Sequence, residues 1–374
     1  MYQREILNQL LQWIEKEEIL ILYGARQVGK TTLMKELVAD RQDAIILNCE
    51  IPTVSATLES IDLAAIGMLF GENRIICLDE AQKVSNIGRI LKLVYDEMPA
   101  YKIIASGSSS FDLANKIVEP LTGRNVKFRL FPLSLKELTS RKPWLEILQR
   151  LNDLLVYGSY PGIVDLNHAE KKQKLLELSS DYLYQDILAH ESVKQPAVIR
   201  KLLKALALQA GSQVSVNELS RLLGISRPVV EKYLDLLEKT FVIFQLSSFS
   251  SNLRNEIRKS SKYYFWDNGI LNAMTGNFTP IGNRSDVGHL WENFCISERM
   301  KHNSSMASSA NTYFWRTYDG AEIDFIEETA GNFEIFEFKW KFKRKTLVPS
   351  SFANTYPVTS VKNVSPEHLY LLLG

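Results

Sequence analysis

The stretch Gly24-Ala25-Arg26-Gln27-Val28-Gly29-Lys30-Thr31 fits the pattern G-x-x-x-x-G-K-[ST] without a gap, and it constrains the fold more than any other feature of the chain. Such a loop works only between a strand and a helix. The run Ile19 to Tyr23 before it is short and apolar, as suits a buried parallel strand. Thr32 to Leu37 after it reads as the start of a helix, with Leu33 and Leu37 one turn apart. Glycines lack a Cβ, so the backbone can wrap a phosphate closely. Successive N–H groups then form an anion nest at a helix N-terminus. In this reading Gly24, Ala25, Arg26, Gln27, Val28, Gly29, Lys30, Thr31 and Thr32 line the nucleotide site. Lys30 reaches the β- and γ-phosphates and the Thr31 hydroxyl ligates Mg²⁺. Arg26 reads either as a phosphate contact or as half of a structural salt bridge.

A chain of 374 residues is long for one domain, so two or three are expected. Hydrophobic content of 45% and charged content of 23% let each part bury a core. The net charge of +1 gives no global pull toward nucleic acid or membrane, so such contacts would need local basic patches. Cys49, Cys77 and Cys295 are far apart and lack metal spacing, which suits a reducing, cytoplasmic location. The first residues, Met1 to Glu5, have no signal-peptide pattern, and no apolar run approaches a membrane span.

A second nucleotide-site element is Ile75-Ile76-Cys77-Leu78-Asp79-Glu80, an apolar strand ending in two carboxylates. Asp79 suits Mg²⁺ binding, and Glu80 suits a general base that polarises the attacking water. A third strand, Tyr101 to Ala105, runs into Ser106-Gly107-Ser108-Ser109-Ser110. There Ser108 is expected to sense the γ-phosphate or position water, the plain alternative being a serine-rich turn. Arg124, in Leu121-Thr122-Gly123-Arg124, reads as a stabiliser of transition-state charge or as a surface arginine. The expected substrate is ATP and the expected cofactor Mg²⁺.

The order of these segments, with Phe131-Pro132-Leu133-Ser134, Tyr157 to Gly162 and Tyr184-Gln185-Asp186-Ile187, resembles one group of prokaryotic ATPases. These are AAA-type, additional-strand P-loop proteins whose C-terminal part is a domain of unknown function, DUF4143. The resemblance covers nearly the whole chain. It implies an ATPase core and, since AAA-type ATPases often form rings, a homo-oligomer.

Beyond the core, a helix from about Val198 carries Leu202, Leu203, Leu206 and Ala207 on one face and ends at Gly211. Ser215 opens a short helix with Glu218 at its third position, closed by Gly224. Ser226 opens a third helix, and Phe241 to Leu246 follows as a strand. This is a winged helix-turn-helix pattern. Arg227 and Lys232 would face DNA, but Glu231, Asp235 and Glu238 share the helix, which favours structural or nonspecific use.

The last hundred or so residues carry a nuclease-like constellation. Glu292 lies on a helix from about His289 to Met300, Asp324 on a strand Glu322 to Ile326, and Glu337 with Lys339 on a strand Phe333 to Trp340. An acid followed by Glu-x-Lys on the next strand is the arrangement of PD-(D/E)XK nucleases. Asp324, Glu337 and Glu292 would hold a second Mg²⁺ or Mn²⁺, and Lys339 would orient water. Salt-bridged edge strands produce the same letters. Basic segments at Arg254 to Lys262 and at Lys341, Lys343, Arg344 and Lys345 could meet a DNA backbone.

The expected fold is therefore α/β: a three-layer αβα P-loop core over 1–135, a helical extension over 136–195, a winged-helix module over 196–250, and a restriction-endonuclease-like domain over 251–374. Three functions stay open: an ATPase driving a nucleic-acid or defence-related task, a nucleotide-gated regulator or scaffold that recruits a protein partner, and a metal-dependent DNA nuclease switched by ATP.

Overall fold

The computed structural model describes residues 2–107, 121–182, 195–250, 261–342 and 347–373. Contacts divide the chain into two units, Met1–Leu133 with Lys239–Phe241, and Ser134–Glu238 with Val242–Gly374.

Among the described residues, the first unit is built on a five-stranded sheet of order β2-β3-β4-β1-β5. The strands are β1 (Ile19–Tyr23), β2 (Ala44–Asn48), β3 (Ile75–Asp79), β4 (Lys102–Gly107) and β5 (Asn125–Arg129). Every pairing in it is parallel. β1, β3 and β4 are buried along their whole length, and each carries a run of apolar residues: Ile19–Leu22, Ile75–Leu78 and Ile103–Ala105. The helices α1 (Leu7–Trp13), α2 (Lys30–Leu37), α3 (Pro52–Glu59), α4 (Leu63–Phe70) and α5 (Ile87–Glu97) accompany the sheet. α5 buries Ile87, Ile90, Leu91 and Val94, a stripe at the helical period. β4 is the additional strand, inserted between the strand that feeds the glycine loop and the strand that ends in Asp79. It runs two residues further than expected, so Ser106 and Gly107 belong to the strand.

The second unit carries a mixed sheet of order β12-β11-β10-β9-β7-β8-β6. Its strands are β6 (Gln213–Val214), β7 (Ile243–Ser248), β8 (Ser261–Phe265), β9 (Asn311–Arg316), β10 (Glu322–Thr329), β11 (Asn332–Phe338) and β12 (Val358–Val364). The helices Pro196–Leu208, Val216–Leu223 and Arg227–Lys239 precede β7. Ser215 caps the second of these by accepting the Glu218 N–H, and Gly224 ends it at φ 67°. β7 does not close a separate module. It pairs antiparallel with β8 and parallel with β9, so strands before and after the expected 250/251 boundary share one sheet.

Helix Val287–Ser305 extends further at both ends than its apolar spacing suggests. It buries Glu298, Arg299 and Lys301 as well as Trp291 and Phe294. Each buried charge has a partner: Arg299 forks onto Glu327 at 2.9 and 2.7 Å, and Lys301 meets Glu298 at 2.8 Å. A buried amide network joins neighbouring elements. Asn272 donates to the Leu155 and Val156 carbonyls, Asn268 to Leu155 and Leu290, and Asn293 bonds both backbone groups of Phe265. Among the described residues, no helix is long and apolar enough to cross a membrane.

Asp267 is the tightest point of this packing. It caps helix Asn268–Thr275 and accepts the Ser159 N–H at 2.7 Å. Gly158 lies against it at φ 69°, and a Cβ there would come within 2.1 Å of an Asp267 oxygen. Gly158→Ala is therefore expected to destabilise the protein by roughly 2–4 kcal/mol, read by denaturant unfolding. A wild-type unfolding midpoint would contradict this packing.

Candidate nucleotide site and a second polar centre

The C-terminal ends of β1, β3 and β4 lie side by side because their pairings are parallel and in register, with Leu22 opposite Ser106 and Leu78 opposite Ala105. In an open α/β sheet this is the edge where ligands bind. The loop after β1 turns through Gln27 at φ 61° and Gly29 at φ 99°, and α2 begins at Lys30. Gly24 cannot carry a side chain, because a Cβ would sit 2.3 Å from the Leu130 carbonyl oxygen. Lys30 is buried, and its ammonium donates to the Gly24 and Ala25 carbonyls at 2.8 and 2.9 Å.

Asp79 gathers the neighbouring groups. Its Oδ2 accepts from the Thr31 hydroxyl at 2.7 Å, and its Oδ1 accepts from the Ser106 hydroxyl at 2.5 Å. The Glu80 N–H points into the same group, 3.2 Å from Asp79 Oδ1 and 3.3 Å from Ser106 Oγ. A hydroxyl and a carboxylate meeting at the foot of an anion loop are hard oxygen donors, which fits Mg²⁺. Glu80 has a left-handed backbone, φ 53°, and its Oε2 accepts from the Gln82 amide at 2.5 Å.

One expected site residue lies outside the described residues, and another changes. Ser108 lies outside the described residues, and the strand-end serine that meets Asp79 is Ser106. Arg124 lies at the wrong end of the sheet for a role in its own phosphate site. It precedes β5, its carbonyl accepts from the Ile19 N–H, and its guanidinium pairs with Asp96 at 2.9 Å. The length of β1, about 16 Å at roughly 3.3 Å per residue, separates that end from the loop. Arg129, exposed and in register with Tyr23, lies at the opposite end of β5, the end at which the loop begins.

In the second unit, Asp324, Glu337 and Lys339 do converge. Asp324 Oδ2 accepts from the Phe338 N–H at 2.8 Å and from the Lys339 ammonium at 2.7 Å. Glu337 lies 3.6 Å from the same ammonium. The β9–β10 register slips between Ile323 and Ile326, the mark of a bulge, and Asp324 sits in that step. β11 ends at Phe338, so Lys339 is the first residue beyond the strand.

Glu292 completes a different set from the expected one. It accepts from the Tyr264 hydroxyl at 2.7 Å and from the Lys262 ammonium at 3.2 Å, and Lys262 also meets Glu322 at 2.6 Å. Among the described residues, no group of three or more His, Cys, Asp or Glu side chains could hold a metal ion. Each expected ligand has a lysine beside it: Glu292 meets Lys262, and Asp324 and Glu337 meet Lys339. Burial works against charge on Lys262, but Glu292 and Glu322 outweigh it and hold the ammonium above its ordinary range. Lys339 is raised in the same sense, burial opposing and Asp324 prevailing. Burial, and then the charge of Asp324, push Glu337 up to about 8.

Known proteins agree with this division. Residues 16–139 match a family described as an AAA domain, and residues 287–372 match a domain of unknown function, DUF4143. The chain combines an AAA domain with a C-terminal DUF4143 domain. Between them, residues 148–280 match another domain of unknown function, DUF8612. An uncharacterized protein of Mycobacterium tuberculosis is 28% identical over 93% of this chain and 75% of its own length. One of Methanocaldococcus jannaschii is 26% identical over 83% and 72%. Among solved structures, a Walker-type ATPase of Pyrococcus abyssi superposes with a TM-score of 0.50 at 18% identity, over 73% of this chain and 96% of that one. That likeness shows a shared fold.

The glycine loop, Lys30, Thr31 and Asp79 of the AAA domain were readable from the chain, and the structure brings them together. Ser106 and Gln82 were not singled out, although both flank the acidic pair. Tyr264 was missed, and Lys262, expected in a basic segment facing a DNA backbone, is instead buried against Glu292 and Glu322; their alternation on β8 was the available signal. Of the basic residues, 254–260 and 343–346 lie outside the described residues, as do 184–187. Arg227 is paired with Glu231, one turn along the exposed face of its helix, at 2.8 Å.

Glu337 sets a pH dependence. Its folded-state pKa, about 8, exceeds the ordinary carboxyl value of 4.5, so the folded state binds more protons between those limits. Stability is then expected to fall as pH rises from about 5 to 8, and Glu337→Gln to flatten that fall. Denaturant unfolding at several pH values in EDTA reads this. A variant with the wild-type slope would rule out Glu337 as the cause.

Proposed function

We propose that the AAA domain hydrolyses ATP with Mg²⁺ at the C-terminal edge of the parallel sheet. The observation that carries this reading is the Asp79 carboxylate joined to both the Thr31 and Ser106 hydroxyls, with Glu80 next in the chain. Gly24 to Thr32 supply the phosphate cradle, and Lys30 exchanges its carbonyl partners for β- and γ-phosphate oxygens. Thr31 and Asp79 would hold Mg²⁺, which supplies charge neutralisation on the phosphates when bound. Glu80 takes a proton from the attacking water as its oxygen bonds to the γ-phosphorus and the bond to the β–γ bridging oxygen breaks, giving ADP and phosphate. Glu80→Gln is expected to lower kcat by about 10²–10⁴-fold while leaving ATP affinity within about twofold of wild type. Lys30→Ala should lose affinity as well. Unchanged turnover in Glu80→Gln, read by phosphate release, would overturn the general-base role.

For the second unit we favour a regulatory or recruiting domain, gated by the nucleotide and serving a nucleic-acid or defence-related task. The support is the pairing of Lys262 and Lys339 with the acids that a metal would need. A DNA-cleaving centre is the second reading, supported by the convergence of Asp324, Glu337 and Lys339. Supercoiled, branched and single-stranded DNA with Mg²⁺ or Mn²⁺, with and without ATP, separates the two. No cleavage by wild type or by Lys339→Ala is expected. Metal-dependent cleavage by wild type that is lost in Lys339→Ala and Asp324→Asn would establish the nuclease instead.

A further inference from the structure

We propose that Arg4 is a positioning residue for the phosphate-binding loop, an inference that rests on the nucleotide-binding reading above. Arg4 is 7% exposed, and two of its guanidinium nitrogens reach main-chain carbonyls far along the chain. Nη1 donates to the Val28 oxygen at 3.0 Å, and Nη2 donates to the Phe131 oxygen at 2.6 Å.

The first bond matters because of what lies across the peptide plane. In a trans peptide the C=O of one residue and the N–H of the next point in opposite directions. By holding the Val28 oxygen on the outer side of the loop, Arg4 turns the Gly29 N–H to the inner side. Gly29 is the glycine directly before Lys30, at φ 99°, and with no Cβ to favour one orientation its peptide needs an outside contact to hold it. An inward Gly29 N–H is a donor for the anion nest. The opposite orientation would place the Val28 carbonyl oxygen against the phosphates, where it repels them.

The second bond anchors the clasp. The residues after β5 already hold the start of the loop: Leu130 N–H donates to the Tyr23 carbonyl at 2.7 Å, and the Leu130 oxygen packs against Gly24. Arg4 carries the same anchor to the end of the loop, through Phe131. The loop is thus fixed at both ends to residues 130 and 131, and only its inner face is left to recognise phosphate. One guanidinium presents two parallel donors in a rigid fork, which a single ammonium does not reproduce.

The test compares binding of Mg²⁺–ATP, ADP and tripolyphosphate by wild type, Arg4→Ala, Arg4→Lys and Lys30→Ala, with thermal unfolding of each in the absence of nucleotide. Arg4→Ala is expected to weaken all three ligands by about tenfold, and Arg4→Lys to recover part of that loss. Equal loss for tripolyphosphate places the effect in the phosphate cradle. Should Arg4→Ala fail to fold, Arg4→Lys and Arg4→Gln carry the comparison, with Gln the weaker binder. Wild-type affinity in a folded Arg4→Ala would overturn the proposal, leaving Arg4 as a stabilising contact. So would a loss confined to ATP and ADP with tripolyphosphate unchanged. A wild type that binds no better than Lys30→Ala would instead remove the nucleotide-binding reading itself.

Discussion

The first unit depends on one carboxylate. Asp79 stands at the end of β3 and is bonded to Thr31, in the first turn of α2, and to Ser106, at the end of β4. Asp79 as a residue is 6% exposed, so each bond is made largely out of reach of bulk water and weighs more than it would in water. This junction requires the additional strand. With β4 between β1 and β3, a serine hydroxyl can meet the carboxylate from one side while the glycine-loop threonine meets it from the other. Sheet order and site chemistry are therefore one constraint.

The second unit solves a different problem with similar means. Its long helix is flanked by charged side chains that a conventional amphipathic helix would turn to solvent. Here they are buried, and every one named above is paired. Removing one partner from such a pair leaves an uncompensated buried charge, which destabilises far more than the intact pair stabilises. These pairs specify how helix Val287–Ser305 seats on its sheet. The cluster of Lys262, Glu292, Glu322, Asp324, Glu337 and Lys339 likewise sets lysines against buried acids.

Much of the AAA core was legible because its signals are local. A glycine loop between an apolar run and a helix needs no distant information, and neither does an apolar strand ending in two acids. Arg124 shows where local reading stops: only the parallel register of β5 with β1 reveals that it sits at the far end of the sheet. Ser106 was passed over for Ser108 because β4 continues into the serine cluster, and a run of serines carries no mark of where a strand ends. In the second unit the helices were legible from their caps, Ser215 and Gly224 above all. The joining of β7 to β9 was not, because parallel pairing across more than sixty residues leaves no periodic trace. The pairing of Lys262 with Glu292 and Glu322 was hidden too, since Lys262 comes from a strand remote in sequence from those acids.

The Mg²⁺ dependence of ATP turnover in Asp79→Asn, beside wild type, tests the central claim most directly. The substitution keeps the shape of the side chain and removes its charge. If Asp79 holds the metal at the foot of the glycine loop, turnover in the variant falls by about 10²-fold or more, and the Mg²⁺ needed for half-maximal rate rises. Wild-type turnover with an unchanged Mg²⁺ requirement would contradict the account, leaving the carboxylate as a purely structural junction between α2 and β4.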